Sequence, residues 1–145
     1  MSHWQSGKMG LKCSLTILQR ALIKIMPQWQ KHIKVDPNGG LRLSGMEGSQ
    51  SGYSLVIPHD SAPGIRYEDI GFKRAADGSW ETTRGKYIPS EVKNFEEKVA
   101  ARVTEMRAKQ NAINMGFRPS GQVEDGGKIR IRMRGRVPDQ YKIRA

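Results

Sequence analysis

The sequence predicts an α+β fold in which two amphipathic helices cover one face of an antiparallel sheet. Two segments keep apolar residues at helical spacing, and the shorter segments between them alternate or are rich in β-branched and aromatic residues. Strong turn signals separate these elements. The predicted order is β-α-β-β-β-β-β-α-β-β, in a single domain over residues 1–134 with a basic tail over 135–145. The other face of the sheet is expected to be open.

The first helix is expected at 14–26 and follows an extended segment at 2–12. Leucines and isoleucines recur there at helical spacing, Ser14 is a suitable N-cap, and Pro27 stops the helix. The next segment, 28–35, alternates between apolar and polar side chains, which is typical of a half-exposed strand.

A turn rich in Asp, Pro, Asn and Gly follows at 36–40, and a return strand begins at 41–43. Residues 44–52 are small and polar, which indicates a flexible loop. A short apolar strand is expected at 53–57. Strands at 66–74 and 79–84 should form a hairpin around an Asp-Gly turn.

The longest helix is expected at 90–115. Its apolar residues keep the helical period, and Gly116 is the expected residue after its C-terminus. A last hairpin should join strands at 117–123 and 128–134 across a turn with two acidic residues and two glycines.

Positive charge is concentrated at the two ends of the chain. The net charge is +11; residues 1–46 carry seven cations and one anion, and residues 128–145 again carry seven cations and one anion. If the ends meet in the fold, they form one basic face that attracts phosphate backbones, anionic lipid surfaces or acidic proteins. This requires that internal carboxylates such as Glu96 and Glu105 do not neutralise it. Net charge that serves solubility alone is the alternative.

The most specific feature is the alternating segment 128–134. In a strand, its cations would share one face at intervals of about 6.6 Å, twice the rise per residue, while the apolar residues between them enter the core. The alternative is an edge strand that charge protects from aggregation. The predicted anion-binding residues, with those of the tail and first helix, are Lys128, Arg130, Arg132, Arg134, Arg136, Tyr141, Lys142, Arg144, Arg20 and Lys24.

No catalytic or metal site is predicted, and no cofactor. The three histidines lack metal-ligand spacing, and adjacency of His59, Asp60 and Ser61 does not make a triad. The acidic pairs at 68–69 and 96–97 are interpreted as solvated faces, and the one cysteine, Cys13, as a half-buried residue before a helix. The sequence contains no bilayer-spanning run and no secretory signal, so we expect a cytoplasmic or plastid stromal protein.

Several motifs resemble the small plastid and cyanobacterial proteins known as hypothetical chloroplast reading frames. The resemblance rests on Met-Ser-His-Trp at 1–4, on Tyr-Glu-Asp-Ile-Gly-Phe-Lys-Arg at 67–74 with a following Asp-Gly, and on Gly-Phe at 116–117 with Gly-Gly-Lys-Ile-Arg-Ile-Arg at 126–132. It covers about two thirds of the chain. It implies a small α+β fold of plastid, bacterial or phage origin, and it assigns no catalytic residue.

The first functional hypothesis is a non-enzymatic accessory protein that binds nucleic acid or a ribonucleoprotein through the cationic C-terminal strand. The alternative is an assembly protein that clasps an acidic protein partner in a larger complex. A third is an enzyme whose site is assembled from distant residues, with His32 or His59 beside an acid in a deep pocket.

Overall fold

A computed structural model describes residues 4–46, 48–86, 88–89, 92–125 and 128–135, of which 118–135 are described by their backbone. The α+β class and the predicted succession of strands and helices are confirmed, with one additional strand. The elements are β1 (Gln5–Lys8), α1 (Leu15–Ile25), a 3-10 turn (Pro27–Trp29), β2 (Lys34–Val35), β3 (Leu41–Gly45), β4 (Gly48–Tyr53), β5 (Leu55–Ile57), β6 (Ile70–Arg74), β7 (Trp80–Arg84), α2 (Phe95–Asn114), β8 (Phe117–Asp125) and β9 (Lys128–Gly135).

Two predicted elements differ from the structure. Residues 28–35 are not one strand, because the chain first makes the 3-10 turn Pro27–Trp29 and only Lys34–Val35 pair with a neighbour. Residues 44–52 are not a flexible loop either, because β3 and β4 pair from Leu41–Tyr53 to Gly45–Gly48. At 28–35 a contact of Trp29 with the distant Pro63 overrides the local pattern. At 44–52 the two strands are neighbours in sequence, and their pairing outweighs the low strand propensity of glycine and serine.

The chain divides into two compact units, Met1–Ala100 and Ala101–Ala145. The first contains a five-stranded antiparallel sheet in the order β1-β7-β6-β5-β2. The single domain predicted over 1–134 stays a prediction.

Helix α1 follows from its sequence as expected. The Ser14 hydroxyl accepts the backbone N–H of Ile17 at 3.2 Å, which satisfies a donor that the first turn leaves without a helical partner. The apolar face buries Leu18 and Leu22, and Pro27 follows the helix end. Arg20 and Lys24 lie on the exposed face.

The core of the first unit gathers around two buried tryptophans. The Trp29 ring meets the Phe95 ring edge-on at 6.1 Å between centroids, and its indole N–H donates to the carbonyl of Pro63 at 3.0 Å. The indole N–H of Trp80 donates to the carbonyl of Cys13 at 3.0 Å. Each ring therefore buries its apolar surface while its one polar atom stays hydrogen-bonded.

The second face of the sheet is not open, which corrects the prediction. The β3–β4 hairpin packs on it through Leu43 and Tyr53, which form a second buried cluster with Val56 of β5. A Cβ at Gly71 of β6 would lie 2.6 Å from Leu43 Cδ1 and 2.7 Å from Tyr53 Cδ1. Glycine at this position therefore lets the hairpin approach the sheet closely.

The β6–β7 turn forms around Asp77 and Gly78 as predicted. Asp77 Oδ1 accepts the Ser79 hydroxyl at 2.6 Å and the Ser79 backbone N–H at 2.9 Å. The hydroxyl hydrogen bond is the largest cause that lowers the pKa of Asp77 below its ordinary value of 3.8, followed by the backbone hydrogen bond.

We expect Ser79→Ala to raise the pKa of Asp77 toward its ordinary value, because the substitution removes the hydroxyl donor. Since the folded pKa is lowered, the stability that this carboxylate contributes is present above its unfolded pKa and is lost as the pH falls through the folded one. An NMR titration of the Asp77 carboxyl carbon measures the shift, with Ser51→Ala on exposed β4 as the control. An unchanged pKa in Ser79→Ala would contradict the assignment.

Helix α2 begins at Phe95, five residues later than predicted, and ends at Asn114 before Gly116, which adopts a φ of 93°. Its first half follows the predicted apolar pattern, since Phe95, Val99 and Val103 are buried. Its second half does not, since Ile113 is 49% exposed. The predicted amphipathic face is therefore confined to the first three turns.

Candidate nucleic-acid interface

Strands β8 and β9 form an antiparallel ribbon in the second unit. The ladder extends from Phe117–Gly135 at one end to Asp125–Lys128 at the other. The sequence predicts this ribbon correctly, although β8 continues two residues beyond Val123 and β9 one residue beyond Arg134. Among the described residues the sheet contains these two strands alone.

The backbone register decides which positions share a face of the ribbon. Successive strand residues alternate between faces, so positions 128, 130, 132 and 134 of β9 lie on the same face. Directly paired residues also share a face, and these four pair with Asp125, Val123, Gly121 and Arg118. The ladder shifts register between Pro119 and Gly121, where Ser120 is the extra residue of a bulge.

The structure thereby adds Arg118 to the predicted set. Without the bulge, Arg118 and Gly121 would fall on opposite faces, because they are an odd number of positions apart. We call this face the cationic face, and it holds five cations and one carboxylate: Arg118, Lys128, Arg130, Arg132, Arg134 and Asp125. The sequence contains no local signal that Arg118 belongs to the cationic face, since its face depends on the position of the bulge.

Two carboxylates that could have neutralised the cationic face are bound to other cations. Glu96 Oε1 accepts the Nε–H of Arg84 at 2.7 Å. Glu105, whose side chain is fully buried, contacts Lys109 at 2.6 Å and Arg102 at 3.0 Å along the same helix. Each carboxylate therefore has a cationic partner within its own unit.

The remaining predicted anion-binding residues lie in other parts of the chain. Arg20 and Lys24 are exposed on α1 and belong to the first unit, whereas the cationic face belongs to the second. Arg136, Tyr141, Lys142 and Arg144 lie outside the described residues. The predicted convergence of the two basic ends stays a prediction.

The structure also corrects the interpretation of the acidic pair at 68–69. Glu68 and Asp69 are buried, at 1% and 5% exposure, rather than on a solvated face. Asp69 contacts His59, with Oδ1 2.5 Å from the ring Nδ1 and 2.9 Å from the backbone nitrogen. Its Oδ2 accepts the backbone N–H of Ser44 at 2.9 Å. Asp69 thus joins the loop after β5 to the β3–β4 hairpin.

His59 lies beside an acid, as the third hypothesis expected, and the acid is Asp69. The sequence did not single out Asp69, because ten positions separate the two residues. The pair resembles the base and orienting acid of a catalytic set, which also requires a nucleophile and a cavity for substrate. The hydrogen bonds made by Asp69 account for its burial structurally, since it accepts two backbone N–H groups besides the ring.

Within the described part of the chain, no three His, Cys, Asp or Glu side chains gather in a group that could hold a metal ion. The helices in that part are also too short or too polar to cross a bilayer. A shallow groove of about 380 Å³ lies along the second half of α2, lined by Ala108, Asn111, Ala112, Met115 and Phe117.

Comparison with known proteins identifies no relative: no family model, curated protein or solved structure matches the chain. The resemblance to hypothetical chloroplast reading frames stays a prediction.

Proposed function

We propose that this protein is a non-enzymatic accessory protein that binds nucleic acid, alone or within a ribonucleoprotein, through the cationic face of the β8–β9 ribbon. The observation that carries the proposal is the register of the ribbon, which places five cations and one carboxylate on a single face. We propose that it acts where it is made, in the cytoplasm or the plastid stroma.

The charge arrangement supports a polyanionic ligand. Alternate strand positions lie about 6.6 Å apart, so the four β9 cations extend over about 20 Å. Like charges at such spacing repel one another, and a chain of phosphates relieves the repulsion along the whole row. Arginine suits this ligand because its planar fork of donors pairs with two phosphate oxygens at once.

The first test is the salt dependence of binding. Each phosphate contact releases a condensed counterion, so about five contacts should give a slope of log K against log salt near −4. Fluorescence anisotropy with a labelled oligonucleotide measures the slope between low and moderate salt. A slope near zero would contradict the proposal.

The second test reverses charge on the cationic face. We expect Arg130→Glu combined with Arg132→Glu to abolish binding, because the pair changes four units of charge at the centre of the face. The matched control is Lys31→Glu combined with Lys34→Glu, which changes net charge equally at exposed positions of the first unit. If both double variants lose the same amount of binding affinity, the loss reflects net charge rather than the cationic face, and the assignment of the site is overturned.

The alternative ligand is an acidic protein in a larger assembly. Purification of the protein with its bound material from the native source tests this alternative. We expect nuclease treatment to release the bound material. A protein that stays bound in fixed proportion after nuclease treatment, and is lost in the Arg130→Glu, Arg132→Glu variant, would replace nucleic acid as the ligand.

A further inference from the structure

We infer that the ligand of the cationic face is B-form duplex DNA, which the β8–β9 ribbon enters through the major groove. This inference rests on the function proposed above and specifies its ligand.

The dimensions of the ribbon fit this groove. The eight residues of β9 extend about 26 Å at the usual strand rise, and two paired strands are about 5 Å apart. The major groove of B-form DNA is about 12 Å wide and admits a two-stranded antiparallel ribbon. A third strand would make the element too wide, and in the described part of the chain this sheet has two.

The residue types on the cationic face favour a duplex over a single strand. Proteins that bind single strands stack the bases on aromatic side chains. None of the eight paired positions on the face is aromatic. The centre of β8 contributes Gly121, which has no side chain, and Val123, which has a small one, so the ribbon stays narrow where it would enter the groove.

The same geometry favours DNA over double-stranded RNA. The major groove of an A-form helix is deep and too narrow for side chains to read, so a ribbon cannot enter it. In B-form DNA, arginine can also donate two hydrogen bonds to the major-groove edge of guanine. Arg130 and Arg132 lie at the centre of the row, where such contacts would form.

The first experiment compares three labelled ligands of one sequence with the full chain: a DNA duplex, an RNA duplex and the single DNA strand. At about 100 mM salt we expect the DNA duplex to bind at least about tenfold more tightly than either of the others. Equal or tighter binding of the RNA duplex or the single strand overturns this inference and leaves the proposed function in place. Failure to bind all three overturns the proposed function as well.

The second experiment fills the groove from the DNA side. Duplexes in which cytosines carry a glucosylated hydroxymethyl group have an occupied major groove and unchanged phosphates. We expect the affinity to fall about tenfold or more, whereas a small molecule bound in the minor groove should leave it within about twofold. Loss caused by the minor-groove ligand, with none caused by the glucosyl groups, would overturn major-groove entry.

The third experiment widens the ribbon. We expect Val123→Trp to weaken binding to the DNA duplex by about tenfold or more and to leave single-strand binding unchanged or stronger, since an added indole offers a stacking surface. Ser51→Trp, at an exposed position of β4, is the matched control and should bind like the parent protein. Full duplex affinity in Val123→Trp would contradict the inference. If Val123→Trp fails to fold, binding of the parent protein to the glucosylated duplex tests major-groove entry instead.

Discussion

Replacing Trp29 with alanine should lower the free energy of unfolding by about 4 kcal/mol, a large part of the total stability of a domain. The side chain is fully buried and packs edge-on against Phe95. Its removal leaves a cavity between the 3-10 turn, Phe95 of α2 and the loop that contains Pro63. It also leaves the Pro63 carbonyl without its indole donor. Urea denaturation followed by circular dichroism measures the loss.

Two further substitutions separate packing from hydrogen bonding at this position. Trp29→Phe keeps an aromatic ring but loses the donor to Pro63, so it should cost about half as much as alanine. Gln30→Ala, at the exposed neighbouring position, should stay within about 0.5 kcal/mol of the parent protein. A Trp29→Ala protein as stable as Gln30→Ala would show that the core does not depend on this ring.

Replacing Asp69 with alanine should lower the free energy of unfolding by about 3 kcal/mol, because the substitution leaves two partly buried backbone donors without an acceptor. The carboxylate accepts the N–H groups of Ser44 and His59 and also contacts the His59 ring. Its loss frees the β3–β4 hairpin from the loop after β5. Hydrogen exchange at Ser44 should therefore accelerate together with the fall in unfolding free energy.

His59→Ala is the informative comparison for Asp69. It removes the ring and leaves Asp69 with both backbone donors, so its cost should be clearly smaller than that of Asp69→Ala. Asp60→Ala, at the adjacent exposed position, should be nearly neutral. If His59→Ala costs as much as Asp69→Ala, the ring contact rather than the backbone acceptors holds the loop.

Local signals predicted the elements whose boundaries depend on nearby residues. Helix α1 was placed within a residue of its observed ends, because Ser14 caps it and Pro27 ends it. The β6–β7 hairpin was also predicted, because its turn is set by the neighbouring residues Asp77 and Gly78. The β8–β9 ribbon was also found, since its strands follow one another directly and need no distant partner.

Contacts between distant residues explain the predictions that were wrong. Trp29 fits the alternation of a strand, yet the indole is buried in a site formed by Pro63 and Phe95, so the chain turns there instead. Strand β4 consists largely of glycine and serine, and it forms because β3 pairs with it and its Tyr53 packs over Gly71. Pro63, Phe95 and Gly71 lie far along the chain from the residues that they contact. Strand β3 is adjacent to β4, but the small polar residues of β4 do not show a strand pattern.

In the candidate interface, too, some features follow from local sequence and others from contacts between segments. The sequence by itself determined the row from Lys128 to Arg134, because strand alternation is a local property of the backbone. The tertiary structure alone decided that Arg118 joins the row, that Glu96 binds Arg84, and that Asp69 meets His59. The ion pairs of Glu105 instead depend on local helical spacing, since Arg102 and Lys109 lie three and four positions away. The physical reason is that register, bulge position and ion pairing depend on which segments pack together, and chain order does not encode those distances.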